Sequence, residues 1–375
     1  MSNDCDHTTA EAVPRGVAGG ANITVLAVHP PSVAATRLRA VQYSDALAEG
    51  ELNLNLWSFL REQDLGDWFG PSQLRRALVT FRALLRLPLI ARHIRRAAVV
   101  IVQREVLPLG PPVIEMLAAR WRPLVWDVDD AVWQSYVSPT AGRVPRWLRA
   151  TGDKYRRICE RADEVWAGSE VLATWCRRHS ESVHVIPTVV PVPPALPDLA
   201  PARTVGWVGS HSTGEFVEAI LPALVDVTPP PQVLVVGARP ETPPGLDVVI
   251  EPWSHETEAH VLSAARVGIY PIDPDHPLAE GKCGLKAILF MSHGIPCVVT
   301  PTTTNAVVVR NGVDGLHART PAEWTTAVQT LFDDDDLWQR CREAAHARAR
   351  DSYSLEVWAP RVADRLRTLA DRTDS

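Results

Sequence analysis

Residues 186–201 read IPTVVPVPPALPDLAP, and this proline-dense segment divides the chain. Proline lacks the amide hydrogen that a central strand or a helix interior needs, so the segment predicts a linker. On both sides of it, short β-branched apolar runs alternate with longer amphipathic stretches. That alternation is typical of βα units around a parallel sheet, so we expect an α/β protein with two Rossmann-like, doubly wound domains.

The pattern also predicts individual elements. Strands are expected at residues 23–28, 52–59, 98–102, 124–127, 164–167, 183–186, 204–208, 232–236, 247–250, 267–270 and 297–299. Helices are expected at residues 37–48, 73–96 with a bend at Pro88, 214–224, 256–265, 285–293, 322–331 and 355–369.

These elements predict a division of the chain into domains. We expect a disordered tail at 1–20, a first domain at 21–190, a linker at 191–202, a second domain at 203–353 and a returning C-terminal helix at 354–375. Because ligands of doubly wound folds bind beyond the carboxyl ends of the strands, the two domains are expected to face each other across a binding cleft.

Composition excludes several classes of protein. The 375 residues exceed what one core usually organises, and a net charge of −6 disfavours nucleic-acid binding. The six cysteines form no CxxC pair, which argues against a zinc site or a disulfide framework. The first twenty residues do not resemble a signal peptide, and no apolar run is long enough to span a bilayer, so we expect a cytoplasmic protein.

The first candidate site is GWVGSHSTGE at 206–215, where a strand ends in small residues before a helix begins. Unpaired amides at a helix start bind phosphate, and glycine allows a close approach. Gly209 and the hydroxyls of Ser210, Ser212 and Thr213 are the predicted phosphate contacts. The alternative is that Ser212 or Thr213 only caps the helix. The stretch lacks the GxGxxG pattern of a dinucleotide site.

The second candidate site is EGKCGLKAILFMSHGIPCVVT at 280–300. Lys282 and Lys286 lie four apart and are positioned to reach one anionic group, while Gly284 opens space at the helix start. Lysines in a first turn oppose the helix dipole unless an anion offsets them, so the pattern favours a pyrophosphate site over a solvated turn.

The third candidate site is LVWDVDDAVW at 124–133, which brings Asp127, Asp129 and Asp130 to a strand end near Trp126 and Trp133. Carboxylates accept hydrogen bonds from hydroxyls, and the indole offers an apolar face to a ring. The DxD letters invite a metal interpretation, but metal binding needs several convergent ligands, so no metal is predicted.

Two basic segments complete the candidates. His29, Arg37 and Arg39 lie after the first strand, where an acceptor would lie if the crevice binds one; a plain basic helix start is the equal alternative. Residues 73–96 hold seven arginines and no acid among leucines. Such a stretch is compatible with a membrane surface or an acidic acceptor, but a solvated helical face is preferred.

Five segments together resemble the retaining glycosyltransferases of family 4, the group 1 glycosyltransferases with the GT-B fold. They are GWVGSHSTGE, EPWSHETE at 251–258, EGKCGLKAILFMSHGIPCVVTP at 280–301, NGVDGLHA at 311–318 and YSLEVWAPRV at 353–362. In that family the second domain binds a nucleotide diphosphate sugar, the first binds the acceptor, and the last helix crosses back to the first domain.

The resemblance implies roles for matching residues. Lys282 and Lys286, with Asp129 and Asp130, would serve catalysis. Contacts to the diphosphate and sugar would come from residues 209–213 and from Glu280, Gly281, Cys283, Gly284 and Leu285. Pro252 and Trp253 would hold the base, and the acceptor would meet His29, Arg37, Arg39, Asp127 and Trp133. The family's paired glutamates fall in register on Gly281 and Leu289, which leaves Glu280 displaced by one residue.

The expected function is transfer of a sugar from a UDP- or GDP-sugar to a small polar acceptor, with retention, in secondary metabolism and without a metal or other cofactor. One alternative is an envelope lipid or polysaccharide glycosyltransferase. Others are a sugar-nucleotide epimerase and a nucleotide-sugar-binding protein without catalysis, the last motivated by the missing glutamates. The expected partners are the nucleotide sugar and a small molecule.

Overall fold

The computed structural model describes residues 19–134, 152–198 and 202–372. The chain forms two compact units: the first comprises Met1–Gly168, Leu172–Ile186 and Trp358–Ser375, and the second comprises Ser169–Val171 and Pro187–Val357. Residues 1–18 of the predicted tail and 199–201 of the predicted linker lie outside the described residues. The described part of the proline-rich segment belongs to the second unit, where Val190 and Val192 are buried in its core.

A six-stranded parallel sheet forms the centre of the first unit, in the order β2-β1-β3-β4-β5-β6. Its strands are β1 Ala21–Ala27, β2 Leu52–Ser58, β3 Val99–Gln103, β4 Leu124–Val128, β5 Glu164–Ala167 and β6 Val183–Val185. Strands β1, β3 and β4 are buried almost throughout, because helices cover both faces of a parallel sheet.

The helices of the first unit are α1 Ala34–Arg39, α2 Ser44–Glu49, α3 Leu65–Phe69, α4 Gln73–Leu85, α5 Leu87–Arg96, α6 Val113–Trp121, α7 Gly152–Arg161 and α8 Glu170–Cys176. The single helix predicted at 37–48 is wrong, because a 3-10 turn at Val41–Tyr43 separates α1 from α2. The bend predicted at Pro88 is a break at Arg86, and the proline lies in the first turn of α5, where its missing amide costs nothing.

The second unit contains another six-stranded parallel sheet, in the order β12-β11-β10-β7-β8-β9. Its strands are β7 Thr204–Val208, β8 Gln232–Val236, β9 Asp247–Glu251, β10 Val267–Tyr270, β11 Cys297–Val299 and β12 Gly315–His317. Counted within this unit, the order is 3-2-1-4-5-6 from β9 to β12, which is the order of dinucleotide-binding Rossmann folds.

Helices on both faces of this sheet are α9 Gly214–Val225, α10 His255–Ala264, α11 Leu285–Ser292, α12 Thr303–Val308, α13 Pro321–Asp333 and α14 Asp335–Tyr353. Alternate residues of the strands join two separate apolar cores, one containing Phe290 of α11 and the other Trp324 of α13. The predicted architecture of two parallel, doubly wound sheets is confirmed.

The last helix, α15 Leu355–Asp371, continues from the second unit into the first. In the first unit, Arg365 Nη1 lies 3.3 Å from both carboxylate oxygens of Glu164 at the start of β5. Arg367 donates to the Gly50 carbonyl at 3.4 Å. Among the residues that the structure describes, no helix has both the length and the apolar character required to cross a bilayer.

Candidate functional site

The strand order of the second unit reverses between β7 and β10, and ligands of open α/β sheets bind beyond the carboxyl ends at such a reversal. Strand β7 ends at Val208 and is followed by Gly209. Strand β10 ends at Tyr270, and the chain then reaches α11 through the loop that holds Lys282. The two predicted segments, 206–215 with Gly209 and 280–300 with Lys282 and Lys286, therefore both lie where the strand order reverses.

Gly209 has no space for a side chain. A Cβ at this position would lie 2.5 Å from Cζ2 of Trp207 and 2.9 Å from Cε of Lys286. Trp207 is fully buried, so its ring has little freedom to move. The absence of a side chain at Gly209 is thus what allows Lys286 to reach the end of β7.

Lys286, in the first turn of α11, is the best-defined group of this site. Its ammonium donates to Thr213 Oγ1 at 2.8 Å. It also lies 4.5 Å from the ring centroid of Trp207 and 5.3 Å from that of Tyr270. Aromatic faces attract a cation, so these rings hold the ammonium at the edge of the sheet without neutralising it.

The pKa of Lys286 is lowered to about 7 by burial, and then by the positive charge of Lys282. The two lysines are thus close enough to interact, as their spacing predicts. The chain has only three lysines, Lys154, Lys282 and Lys286, among 38 basic residues. A lysine, unlike an arginine, can lose its proton in such surroundings and regain it when an anion arrives.

Gly284 precedes α11 with a left-handed backbone, at φ 74°, and provides no side chain to cap the helix. The first amides of α11 therefore meet no side-chain acceptor from the N-cap residue, and the helix dipole adds partial positive charge there. Leu285, which is half-buried, begins the helix, while Gly281 and Cys283 are buried in the preceding turn. Amides and two ammonium groups make this end of the sheet suited to an anion.

The segment after Gly209 forms a 3-10 turn at His211–Thr213 ahead of α9. Thr213 occupies the N-cap position of α9 but its side chain accepts no capping hydrogen bond. Its hydroxyl instead donates to the Ser210 carbonyl at 3.0 Å and accepts from Lys286. The Ser210 and Ser212 hydroxyls lie 2.9 Å apart. The capping alternative is therefore wrong for both Thr213 and Ser212.

Glu280 makes a contact that the sequence did not indicate. Its Oε2 accepts from the Thr303 amide at 2.9 Å, at the start of α12. A carboxylate at a helix N-terminus is electrostatically favourable. Glu280 therefore connects the loop that holds Lys282 to the start of α12. Its suggested role as a sugar or lysine partner stays a prediction.

Pro252 and Trp253 follow β9, two strands away from β7 along the same edge. Trp253 Nε1 donates to Glu258 Oε2 at 2.8 Å, and the Pro252 carbonyl accepts from Thr257 Oγ1 at 2.9 Å. These bonds fix the segment at the start of α10. Its assignment to a nucleotide base stays a prediction.

In the first unit, Arg39 and Asp127 form a buried ion pair. Arg39 Nε donates to Asp127 Oδ2 at 3.1 Å, its Nη2 contacts the other carboxylate oxygen, and Nη1 donates to the Ile186 carbonyl at 2.6 Å. Both side chains are only 2–3% exposed. They therefore join α1, β4 and the end of β6, while Arg37 on the same helix stays half-buried. Their assignment to the acceptor stays a prediction.

Asp129 and Asp130 follow β4 and lie beside Arg104, a residue that is not among the predicted site residues. Arg104 Nη2 donates to Asp129 Oδ2 at 2.9 Å and lies 3.9 Å from Asp130 Oδ2. Arg104 has a left-handed backbone, at φ 57°. A charged residue directly after the buried strand β3 was the available signal for it.

His29 lies at the end of β1 in the same unit. Burial, and then the charge of Arg104, lower its pKa to about 4, against an opposing effect of Asp129. Its Nδ1 is buried and has no hydrogen-bond partner among the described atoms. The imidazole is therefore neutral near pH 7 and has an unused nitrogen.

Trp133, after β4, stacks on Trp175 of α8 with ring centroids 3.9 Å apart and planes 6° apart. One face of its indole is thus occupied by another indole. Within the described ranges, no three His, Cys, Asp or Glu side chains are grouped so as to hold a metal ion.

Residues 202–334 match the family model described as glycosyl transferases group 1. No curated protein matches the chain. Sucrose-phosphate synthase from Thermosynechococcus elongatus has a similar structure, with a TM-score of 0.71, 17% identity, and coverage of 93% of this chain and 99% of that one. HepE of Anabaena, whose structure holds UDP and glucose, has a TM-score of 0.65 and 14% identity over 93% of this chain and 100% of its own. A glycosyltransferase from Rickettsia africae has a TM-score of 0.64 and 13% identity over 94% and 99%.

Proposed function

We propose that this chain is a group 1 glycosyltransferase of the GT-B fold that transfers a sugar from a UDP-sugar to an acceptor hydroxyl with retention at the anomeric carbon. The observation that supports this most is the ammonium of Lys286 at the carboxyl end of β7. The presence of UDP in the HepE structure supports UDP over GDP as the carrier.

The chemistry places the largest new charge on the departing diphosphate. As the anomeric C–O bond breaks, its electron pair passes to the β-phosphate while the sugar becomes oxocarbenium-like. Lys282, Lys286 and the amides that follow Gly284 are proposed to stabilise that charge. Because these groups already supply positive charge, we propose that transfer needs no metal ion or other cofactor.

Donor affinity is expected to depend on pH through Lys286. Its pKa is about 7 in the free protein, and a bound diphosphate raises it. Above pH 7 the free protein holds Lys286 largely deprotonated, so donor binding must be accompanied by proton uptake. Donor affinity therefore falls by up to about tenfold for each pH unit above 7, and it does not change with pH below 7. Calorimetry with a UDP-sugar in buffers of different ionisation enthalpy measures both effects. A pH-independent affinity without proton uptake contradicts the assignment.

Gly209→Ala is expected to lower kcat/KM by about tenfold or more, because the new methyl group competes with Lys286 Cε and the Trp207 ring for the same space. Gly66→Ala is the matched control, since a Cβ there meets nothing within 4 Å. Steady-state kinetics of both variants give the comparison. Equal rates for Gly209→Ala and the wild type would count against the close approach at Gly209.

For the acceptor, we propose a small polar molecule of secondary metabolism that binds the first unit near His29 and Asp129. The neutral imidazole with its unused Nδ1 supports a contact with an acceptor hydroxyl. We place the reaction in the cytoplasm, because the described cysteines are free thiols, as in a reducing compartment. They are Cys159, Cys176, Cys283, Cys297 and Cys341.

A lipid-linked acceptor of the cell envelope is the second candidate. It is favoured by the exposure of Leu74, Phe81 and Leu85 on α4 of the first unit, which is 82%, 58% and 65%. A polar small molecule gives no reason for such a surface.

The proposal is tested by incubating the folded protein with UDP- and GDP-sugars and a panel of small and lipid-linked acceptors. Release of UDP that depends on an acceptor, with the anomeric configuration of the donor sugar retained in the product, supports it. Conversion of the donor sugar without an acceptor indicates an epimerase, and binding without turnover indicates a non-catalytic protein. Failure to bind any nucleotide sugar contradicts the proposal.

A further inference from the structure

Helix α4, Gln73–Leu85, carries a row of large apolar side chains that faces solvent. Leu74, Leu78, Phe81 and Leu85 follow at intervals of four, three and four positions, which places them on one face of the helix. Their exposures are 82%, 45%, 58% and 65%. We call these four residues the apolar row.

Helix α4 buries one side in the first unit and exposes the apolar row on the other side. The opposite side of α4 is anchored in the first unit through Val79 and Ala83, which are 1% and 2% exposed. Ser72 caps the helix by accepting from the Arg75 amide at 3.4 Å. The helix is thus fixed in position, and it presents a contiguous apolar surface that a soluble monomer usually avoids.

Arginines accompany the row along α4 and α5, and one of them, Arg75, pairs with Asp67 at 3.1 Å. Residues 73–96 contain seven arginines and no acidic residue, in a chain whose net charge is −6. Arg76 and Arg86 bind backbone carbonyls of the same unit, at 2.6 Å and 3.2 Å for their shortest bonds. Arg82, Arg92 and Arg96 are exposed and pair with no carboxylate among the described residues. Leu89, 55% exposed on α5, extends the apolar character into the same basic stretch.

The combination fits an anionic surface with an apolar interior beneath it. A second copy of this chain would bring two arginine-rich faces together, which like charges oppose. A helix with leucine and phenylalanine on one side and arginines beside them is the arrangement of segments that lie in the plane of a bilayer interface. The sequence alone favoured a solvated helical face for residues 73–96. A solvated face does not explain the exposed leucine and phenylalanine side chains, whereas membrane contact does.

We propose that the apolar row of α4, with Arg82, Arg92 and Arg96, docks the first unit onto an anionic phospholipid bilayer as a peripheral contact. The row enters the headgroup boundary and the arginines meet lipid phosphates. Membrane binding by this row needs no nucleotide sugar. A protein that does not bind vesicles can therefore still transfer sugar, and the two proposals can fail separately.

Co-sedimentation with vesicles tests the proposal on the full chain. We expect the wild type to bind vesicles made of equal parts phosphatidylcholine and phosphatidylglycerol. We expect little binding to vesicles made only of phosphatidylcholine. Leu74→Ser/Phe81→Ser is expected to lower the partition coefficient by about tenfold or more. Arg82→Gln/Arg92→Gln is expected to lower it about tenfold and to weaken its dependence on salt.

The matched control is Val113→Ser/Val313→Ser, which removes two valines exposed by 63% and 45% outside the apolar row. It is expected to bind vesicles as the wild type does, and thermal melts check that all variants are folded. No binding of the wild type to anionic vesicles overturns the proposal. Equal binding by Leu74→Ser/Phe81→Ser and the control also overturns it. Self-association in solution that this apolar variant abolishes identifies the row as a dimer contact instead, and likewise overturns it.

Discussion

Lys286→Met is expected to lower kcat/KM by about 10- to 100-fold, because it removes an ammonium whose charge-assisted contacts are worth about 1.5–3 kcal/mol. Methionine keeps a flexible apolar chain beside Trp207 and Tyr270, so the change isolates the charge. Lys282→Ala is expected to cost more than about tenfold by the same argument. Initial rates with saturating acceptor measure the effect on donor use.

Thr213→Val is the matched control for that result. It removes the hydroxyl that accepts from Lys286 at 2.8 Å but leaves the ammonium in place. A loss of only a few fold is expected, since a neutral hydrogen bond is worth about 1 kcal/mol. Unchanged rates in both lysine variants would refute the placement of the diphosphate.

Arg39→Met is expected to reduce the free energy of unfolding of the first unit by about 3–5 kcal/mol, because Asp127 then stays buried without its charged partner. The pair is almost fully buried and also holds the Ile186 carbonyl. Urea titration followed by tryptophan fluorescence measures the loss. The double variant Arg39→Met/Asp127→Leu is expected to recover most of it, since no unpaired charge remains.

Arg37→Met provides the comparison on the same helix, where we expect a smaller loss of stability. An Arg39→Met variant with unchanged stability and a raised KM for the acceptor would assign Arg39 to the acceptor instead. The two outcomes separate a residue that holds α1 on the sheet from one that touches substrate.

The strands were accessible from sequence because parallel strands are continuous β-branched runs. Predicted strands 164–167, 204–208, 232–236, 267–270 and 297–299 coincide with β5, β7, β8, β10 and β11. The break between α1 and α2 was not accessible. Ala40, at φ −133° and ψ −65°, ends α1 directly after Arg39, whose partners Asp127 and Ile186 are far away in the sequence.

Helix α14, Asp335–Tyr353, illustrates a different limit. Its buried face includes Cys341, Ala345 and Ala349, small residues spaced by four, amid many charges. Small side chains give a weak apolar signal although they allow close packing on α11. The sequence therefore offered no clear amphipathic pattern for this helix.

Some features of the candidate site were predictable from the sequence, and others depend on the tertiary structure. The spacing of Lys282 and Lys286 and the need for glycine before α11 were readable from the sequence. The aromatic surroundings of Lys286 were not, because Trp207 and Tyr270 appear only as apolar members of buried strands. Only the order of β7 and β10 in the sheet brings their rings to the ammonium.

The proposed function depends on a donor diphosphate that binds at the carboxyl end of β7 in the second unit. A crystal structure of the protein with UDP shows where the diphosphate binds. We expect a phosphate oxygen within hydrogen-bonding distance of Lys286 Nζ and of the amides that follow Gly284. A diphosphate bound elsewhere, with Lys286 still donating only to Thr213, would contradict this placement.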